Sequence, residues 1–247
     1  AVVIEEFMEG EEASVLCFTD GTTIVPMISA QDHKRIGDGD MGANTGGMGA
    51  YAPAPVMTKE LDKIVYDTIL LPAVKAMKKE GCPFRGCLYA GLMITKEGPK
   101  VVEFNCRFGD PETEAVLPLL ESDLARIMLA CAKGTLKKEK VEWKNACAVD
   151  VVLASEGYPA THSSGEEIVG LEEAKKTGCL VFHAGSMKKK GRYFVNGGRV
   201  LNVAAVAPTL KEARDKAYEG VSKISWRGMQ YRHDIADKGL KRLKKRK

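Results

Sequence analysis

The sequence predicts an α+β fold built from two consecutive domains. Strand-like runs dominate the first 30 residues, helical patterns flank a strand pair before residue 134, and mainly strand-like runs follow residue 147. We predict a first domain over 1–134, a linker over 135–146, a small, mainly β domain with one flanking helix over 147–235, and a basic tail over 236–247.

Local signals define the elements of the first domain. A long glycine- and proline-containing stretch, 31–55, breaks the strand pattern and is expected to be a functional loop. Thr58 is expected to cap a helix that Pro72 kinks and Gly81 ends, and Gly134 is expected to end the next helix. The predicted strands are VVIEEF, 13–18, 22–27 (after an Asp20-Gly21 turn), 87–95 and 100–106, and the predicted helices are 58–79 and 112–133.

The second domain is predicted mainly from apolar runs between turns. Thr209 and Glu212 match a capping box, so a helix is expected from there to about Ser225. The predicted strands are 147–154, 179–184, 192–196 and 199–206.

The charge distribution argues against a nucleic-acid-binding body. The chain has 37 basic and 33 acidic residues, a net charge of +4. The last ten residues, KGLKRLKKRK, hold seven of the basic residues, which leaves the body at −3. A flexible tail of this kind would give salt-sensitive, non-specific affinity at most. We therefore expect no nucleic-acid partner.

No apolar run approaches the length of about 20 residues that a membrane-spanning helix needs. The start, AVVIEEF, lacks the basic region of a signal peptide. The seven cysteines form no CxxC pair and do not cluster with histidines, which favours reduced thiols over a zinc site. We expect a cytoplasmic protein with no membrane partner.

The segment VVEFNCRFGDPE is the most informative for chemistry. Because strand side chains alternate, Glu103, Asn105 and Arg107 are expected on one face, with Val102 and Phe104 on the other. A carboxylate and an amide oxygen suit Mg²⁺, and a guanidinium suits phosphate. The alternative is a solvated edge face with an ion pair, and this segment alone favours neither.

Two further segments suggest nucleotide and anion binding. In IEEFMEGEE, backbone groups at Glu6 to Met8 could bond a purine base and Glu12 a ribose, although five crowded carboxylates usually mark a solvated turn. In 32–49, the bases of DHKR precede the glycines of NTGGMG, whose backbone N–H groups could approach an anion. A mobile surface loop is the alternative for that second stretch.

Together these segments resemble the phosphoribosylamine–glycine ligase (glycinamide ribonucleotide synthetase) family of the ATP-grasp superfamily. The match covers about residues 2 to 235. The matching strings are VVIEEFMEGEEAS, QDHKR, NTGGMGAYAPAP, LYAGLMIT, VVEFNCRFGDPET, GYP, VFHAG, NGGRVL and YRHDI.

The resemblance implies a fold and a reaction. The first domain would be the C-terminal part of an ATP-grasp domain, and the second would close on the substrates. The family joins glycine to 5-phosphoribosylamine in purine biosynthesis, with ATP consumed, a glycyl phosphate intermediate, and ADP and phosphate released. ATP and Mg²⁺ or Mn²⁺ are the implied cofactors.

The resemblance also implies residue roles. The implied metal ligands are Glu103 and Asn105, and the implied catalytic residues are Arg107, Asp110 and Lys34. The implied nucleotide-binding residues are Glu5, Glu6, Phe7, Met8 and Glu12. The implied substrate-binding residues are Asp32, His33, Arg35, Asn44, Thr45, Gly46, Gly47, Met48, Gly49, Pro111, Glu112, Gly197, Gly198 and Arg199.

The sequence departs from the family pattern in two ways. The strand Cys87 to Ile94 lacks the extra metal carboxylate of many ATP-grasp enzymes, so substrate phosphates would supply more of the metal shell. The family's N-terminal domain and glycine-rich phosphate lid have no counterpart before the IEEF segment. We therefore expect the missing N-terminal half as a partner and no turnover by this chain alone.

A non-catalytic nucleotide-binding or scaffold module with the same fold is the competing interpretation. The intact Glu103 and Asn105 favour the ligase, whereas the missing lid favours the module.

Overall fold

The computed structural model describes residues 2–245, which form two compact units. The first unit comprises the chain up to Ser29, Pro55–Phe108 and Ser122–Val141. The second comprises Ala30–Ala54, Gly109–Glu121 and the chain from Glu142 onward. Sheets and helices occur in both units, which agrees with the predicted α+β class. The consecutive domain bounds stay a prediction.

The regular elements are numbered in chain order. The strands are β1 (Glu11–Thr19), β2 (Ile24–Pro26), β3 (Gln31–Asp32), β4 (Arg35–Gly37), β5 (Met41–Asn44), β6 (Gly49–Ala52), β7 (Gly86–Thr95), β8 (Gly98–Asn105), β9 (Cys147–Ala154), β10 (Ser164–Ile168), β11 (Leu180–His183), β12 (Ser186–Lys189), β13 (Arg192–Asn196) and β14 (Arg199–Ala207). The helices are α1 (Lys59–Val65), α2 (Leu71–Lys79), α3 (Glu112–Val116), α4 (Leu124–Lys133), α5 (Leu171–Lys176), α6 (Leu210–Val221) and α7 (Asp237–Lys245).

The first unit is built on an antiparallel sheet in the order β2-β1-β7-β8. β1 is buried from Ala13 to its end, and α4 packs against β1 and β7. Thr58 caps α1 by accepting from the backbone N–H of Leu61, and a π-helical turn joins α1 to α2 just before Pro72. The predicted cap is confirmed. The chain stays helical through Pro72, so the helix is not divided there, and the kink stays a prediction.

Two predictions for the first domain are wrong. Residues 2–9 have no regular secondary structure, and Ile4 is 93% exposed, so VVIEEF is not a strand. The helix predicted over 112–133 is two helices, α3 and α4, with a 3₁₀ turn at Leu117–Leu119 between them. Pro118 lacks an N–H to donate, and Asp123 begins a new helix by accepting from the N–H of Arg126. Gly134 ends α4 as predicted, at φ 72°.

The second unit is built on a five-stranded antiparallel sheet in the order β11-β14-β9-β6-β3, whose strands come from separate parts of the chain. Strands β3 and β6 come from the glycine-rich stretch, and β6 pairs antiparallel with β9. The prediction of an irregular loop over 31–55 is therefore wrong. Its strands are only two to four residues long, and β6 depends on a partner about 100 positions away, so local pattern does not reveal them.

The predicted strands at 147–154 and 192–196 are confirmed without change, and those at 179–184 and 199–206 correspond to β11 and β14. The capping box is also confirmed, because the Thr209 hydroxyl accepts from the Glu212 N–H and Glu212 Oε2 accepts from the Thr209 N–H. β10, α5 and β12 were not predicted. β10, β13 and β12 form a separate three-stranded sheet.

The basic segment is ordered where the structure describes it. α7 covers Asp237–Lys245, Gly239 is buried against Tyr51 and Leu210, and Leu240 packs on the core. The expectation of a flexible tail is wrong for these residues, while Arg246 and Lys247 lie outside the described residues.

Two acidic side chains lie inside the second unit. Val149, Val151 and Leu153 of β9 join the core with α6, whereas Asp150 points to the opposite side. Burial raises the pKa of Asp150 well above its ordinary value, and the nearby Glu114 charge raises it further. Burial likewise raises the pKa of Glu114 to about 7. Asp150 therefore favours the protonated form in the folded protein, and Glu114 does so below about pH 7.

Within residues 2–245, none of the helices combines the length and apolar character needed to cross a bilayer. All seven cysteines, which lie in the described part, are free thiols. Burial raises the pKa of Cys17 and Cys87 to about 12, so these two are unreactive core side chains.

We expect Glu114→Gln to make the second unit's stability less dependent on pH. The folded protein holds the Glu114 proton up to about pH 7, whereas the unfolded chain releases it near 4.5. The stabilisation is therefore present at the acid end of this window and is lost as pH rises through it. Because Glu114 is partly exposed, the effect should be about 1–2 kcal/mol.

Urea unfolding at several pH values measures this effect. Trp143 and Trp226, the two tryptophans of the chain, both belong to the second unit and report its unfolding by fluorescence. Glu219→Gln, on the exposed face of α6, is the matched control. Equal pH slopes in the two variants would contradict the assignment to Glu114.

Candidate functional site

The predicted nucleotide-binding residues lie beside the turn between β7 and β8. Register pairing of Glu11 with Ile94 brings the segment before β1 next to this turn. A pocket of about 300 Å³ is lined by Glu6, Phe7, Met8, Glu9, Thr95, Lys96, Glu97 and Lys100. Three of the five predicted residues, Glu6, Phe7 and Met8, therefore line one pocket of the first unit.

Lys100 forms ion pairs with two other residues that line this pocket. Its Nζ lies 2.7 Å from Glu6 Oε1 and 3.0 Å from Glu97 Oε2. Its hydrogen bond to Glu6 raises the pKa of Lys100, which therefore stays a cation. Phe7 is 85% exposed, so its ring is available to a flat apolar group. The pocket thus offers an apolar surface next to charged and polar groups.

The predicted metal ligands are neighbours on β8. Glu103 is exposed, Asn105 is half-buried, and Asn105 Nδ2 donates to Glu103 Oε1 over 3.0 Å. Opposite Glu103, β7 carries Gly91, and a Cβ there would lie 3.4 Å from Glu103 Cγ. The two side chains fit a magnesium ion that takes one carboxylate and one amide oxygen from protein and further ligands from phosphate and water.

No group of three or more metal-ligating side chains occurs among the described His, Cys, Asp and Glu residues. The role of Glu103 and Asn105 as metal ligands stays a prediction.

Arg107 follows β8 rather than lying on it. The strand ends at Asn105, and Arg107 is exposed with Nη1 donating to its neighbour's carbonyl, Phe108 O, over 2.9 Å. Strand alternation therefore does not extend to Arg107, and its predicted place beside phosphates stays a prediction.

The predicted substrate residues 32–49 form one long irregular hairpin in the second unit. β4 and β5 pair near its tip, and β3 and β6 pair at its base. Across its middle, the N–H and hydroxyl of Thr45 both donate to Lys34 O, over 2.7 Å and 2.8 Å. Lys34 and Asn44–Gly46 are thus brought together from two ends of the stretch.

Arg199 donates hydrogen bonds to the backbone of the glycines in this hairpin. Its Nη1 donates to Gly46 O over 3.0 Å, and its Nη2 donates to Asp110 Oδ2 over 2.7 Å. Gly47 has φ 117°, and a Cβ there would lie 2.3 Å from Pro111 Cδ, so only glycine fits. Arg199, Asp110, Pro111 and the glycines are therefore assembled as one cluster.

Gly197 and Gly198 lie at the turn before β14. Gly198 lies beside Tyr158, which makes a second contact with the hairpin. The Tyr158 hydroxyl accepts from Gly46 N–H over 2.9 Å, and a Cβ on Gly198 would lie 2.4 Å from the Tyr158 ring. Tyr158 thus needs the glycine at 198 to reach Gly46.

Two polar residues of the predicted substrate side, His33 and Glu112, are buried. His33 is 1% exposed and neither ring nitrogen has a hydrogen-bond partner. Burial lowers its pKa to about 4, and the nearby Arg232 charge lowers it further, so the ring is neutral at neutral pH. Glu112 is 3% exposed and folds back over Gly109.

Three residues of these clusters, Lys100, Glu97 and Tyr158, were not predicted from the sequence. Glu97 lies in the turn between β7 and β8, and Lys100 lies on β8. The pairing of β1 with β7 brings both next to the segment that precedes β1. Tyr158 belongs to the GYP string, which was quoted for resemblance but given no role.

Two families match separate parts of the chain. The phosphoribosylglycinamide synthetase ATP-grasp (A) domain matches residues 1–113, and the phosphoribosylglycinamide synthetase C domain matches residues 148–238. The two matches overlap the nucleotide-side and the C-terminal segments described above.

Named relatives agree with these domains. A phosphoribosylamine–glycine ligase from Vigna unguiculata is 51% identical over 232 residues, which are 92% of this chain and 75% of the relative. A chloroplastic phosphoribosylamine–glycine ligase from Arabidopsis thaliana is 51% identical over 245 residues, but the chain covers only 46% of it. The chain therefore spans about half the length of the longer relative.

A solved structure extends the comparison to the fold. The phosphoribosylamine–glycine ligase from Thermotoga maritima superposes with a TM-score of 0.84 at 39% identity, covering 93% of this chain and 56% of that one. With half of its residues shared by a relative of which it covers three quarters, this chain belongs to the phosphoribosylamine–glycine ligase family.

Proposed function

We propose that this chain forms the nucleotide-hinge, metal-strand and C-terminal part of an ATP-dependent ligase that joins glycine to 5-phosphoribosylamine. The products would be glycinamide ribonucleotide, ADP and phosphate. The observation that carries the proposal is the adjacent pair of Glu103 and Asn105 on β8 of a chain that belongs to this family.

On the nucleotide side, the residues are proposed to bind and orient ATP. The exposed Phe7 ring and Met8 would cover the adenine, and Glu6 and Lys100 would fix the pocket wall beside it. Glu5 and Glu12 are proposed to complete this hinge, with Glu12 accepting from the ribose. Positioning of this kind is the main source of catalysis in phosphoryl transfer.

Glu103 and Asn105 are proposed to hold Mg²⁺ or Mn²⁺ through their oxygens. A bound divalent cation would neutralise charge on the phosphates of ATP. Arg107 would add a further positive charge on the nucleotide side.

On the substrate side, the hairpin residues and the 109–112 segment are proposed to bind glycine and 5-phosphoribosylamine. Lys34 and Arg35 would bind anionic groups, and Asp110 would accept a proton from the attacking amine. The glycine carboxylate would attack the terminal phosphorus of ATP and release ADP. The amine would then attack the carbonyl of the glycyl phosphate and release phosphate.

The Arg199 cluster supports the substrate-side assignment. It uses a guanidinium that is 20% exposed to hold three backbone carbonyls and one carboxylate in a fixed arrangement. A scaffold module would need no such arrangement of glycines. The intact Glu103 and Asn105 likewise favour the ligase over the non-catalytic module.

The remaining part of a complete ligase is a proposed partner, because the longer relatives exceed this chain by about half their length. A cytoplasmic location stays a prediction, since one relative is named as chloroplastic.

We expect Mg²⁺-dependent binding of ATP that Glu103→Ala weakens at least about tenfold, since a carboxylate ligand is lost. Isothermal titration calorimetry with and without Mg²⁺ measures this. Val102→Ala, on the opposite face of the same strand, is the matched control and should change the affinity less than about twofold. Absence of binding at millimolar ATP would contradict the proposal and favour a scaffold module that binds no nucleotide.

We expect ligase turnover when this chain is joined to the remaining segments of a longer relative. Formation of ADP should then depend on both glycine and 5-phosphoribosylamine. The same fusion carrying Glu103→Ala should lose most of this activity, about 100-fold or more, since the metal site acts on the transition state. Turnover by the isolated chain would show that the remaining segments are dispensable.

A further inference from the structure

The tip of the substrate hairpin, Asp38–Asp40, is held by a cluster of charged residues from the end of the chain. We call this cluster the tip clamp, and it consists of Arg232, His233, Asp234 and Lys238. Both the hairpin and the clamp belong to the second unit. None of the clamp residues has been assigned a role in the proposed ligase.

Arg232 is the centre of the clamp. Its side chain is completely buried, and its Nη1 donates to Asp40 Oδ1 over 2.9 Å and to Arg35 O over 3.1 Å. Its Nε and Nη2 each donate over 2.7 Å to the two carboxylate oxygens of Asp234. The guanidinium therefore joins one side chain and one backbone carbonyl of the hairpin to the chain end.

The other clamp residues hold the same turn. Asp234 Oδ2 accepts from Gly39 N–H over 2.9 Å, so the Arg232–Asp234 fork also carries the hairpin backbone. The backbone N–H of His233 donates to Asp38 Oδ1 over 2.7 Å, and its Nδ1 lies 3.0 Å from Asp38 Oδ2. Lys238, at the start of α7, pairs with Asp40.

Burying an arginine together with two carboxylates costs desolvation free energy. Well-packed apolar residues of similar size are often as stabilising or more so, whereas a forked ion pair restricts its partners to one geometry. The clamp binds the hairpin at the backbone carbonyl of Arg35, which is a predicted substrate residue. The side chain of Arg35 in turn donates from Nη1 across the hairpin to Gly42 O over 2.7 Å. The clamp therefore acts on geometry next to the proposed site.

We propose that Arg232 is a positioning residue of the substrate side, which fixes the hairpin tip through Asp40, Asp234 and Arg35 O and thereby places the side chains of Lys34 and Arg35. The inference rests on the proposed function for its kinetic consequence. Its structural consequence, a rigid tip, is independent of that function.

The structural consequence is tested on the full chain by amide hydrogen exchange. In Arg232→Lys the charge is kept but the fork is lost, so exchange over 35–45 should rise about tenfold or more while β9 stays protected. Asp40→Asn weakens the contacts of Asp40 with Arg232 and Lys238 but leaves the Arg232–Asp234 fork and the bond to Arg35 O in place, so it should raise exchange over the same residues by a smaller factor. Arg192→Lys is the matched control, because Arg192 pairs with Glu167 at an exposed site of the three-stranded sheet.

Unchanged exchange over 35–45 in Arg232→Lys would overturn the proposal. If that variant loses protection everywhere, β9 included, Asp40→Asn decides, and unchanged exchange there would overturn the proposal as well.

The kinetic consequence is tested on the completed ligase. Arg232→Lys should raise the KM for 5-phosphoribosylamine about tenfold and change kcat and the KM for ATP less than about threefold, since misplaced substrate contacts weaken binding. A lower kcat with unchanged KM values would mean only a loss of folded enzyme and would overturn the positioning role. If the completed ligase with Arg232 intact were inactive, the proposed function would fail, while the exchange experiment would still decide on the clamp.

Discussion

The antiparallel pairing of β6 with β9 is the interaction on which the substrate side depends. It sets Gly49 opposite Val151 and Ala52 opposite Ala148, and so attaches the base of the hairpin to the central strand of the second unit. Gly49 has φ 146°, and a Cβ there would lie 2.5 Å from Asp150 O, so the pairing requires glycine at this position. Arg199 and Arg232 act on a hairpin that this pairing has already brought into the unit.

The sequence predicted the helix caps and turns whose hydrogen bonds lie within a few residues. Thr58, Asp20-Gly21, Gly134 and the Thr209 capping box all mark boundaries that the structure shows, because each depends on hydrogen bonds within a few residues. The hairpin escaped prediction because its strands are short and because β6 needs β9, about 100 residues later, as its partner. The single helix over 112–133 failed although its signals are local, since Pro118 ends one helix and the Asp123 cap begins the next.

The candidate site divides in the same way. Strand alternation alone placed Glu103 and Asn105 on one face, where the structure shows them in contact, whereas their metal role came from the family resemblance. Most other roles came from the family resemblance, which names residues but not the contacts that hold them. Tyr158, Lys100 and Arg232 act through partners more than 90 positions away in the chain, so no spacing rule could have found them.

The second unit buries charge in two opposite ways, and the difference follows from hydrogen-bond supply. Arg232 is lined by two carboxylates and a carbonyl; although burial lowers its pKa, the hydrogen bonds from Asp234 and Asp40 raise it, and the group stays charged. Asp150 has one amide donor, Asn202 Nδ2 at 3.1 Å, and its Oδ1 has no partner, so burial dominates and the acid favours its neutral form. A charge that is fully paired can fix the position of its partners, whereas a neutral acid with one bond cannot. The clamp at the hairpin tip therefore has a directing role that the buried acid beneath the hairpin base lacks.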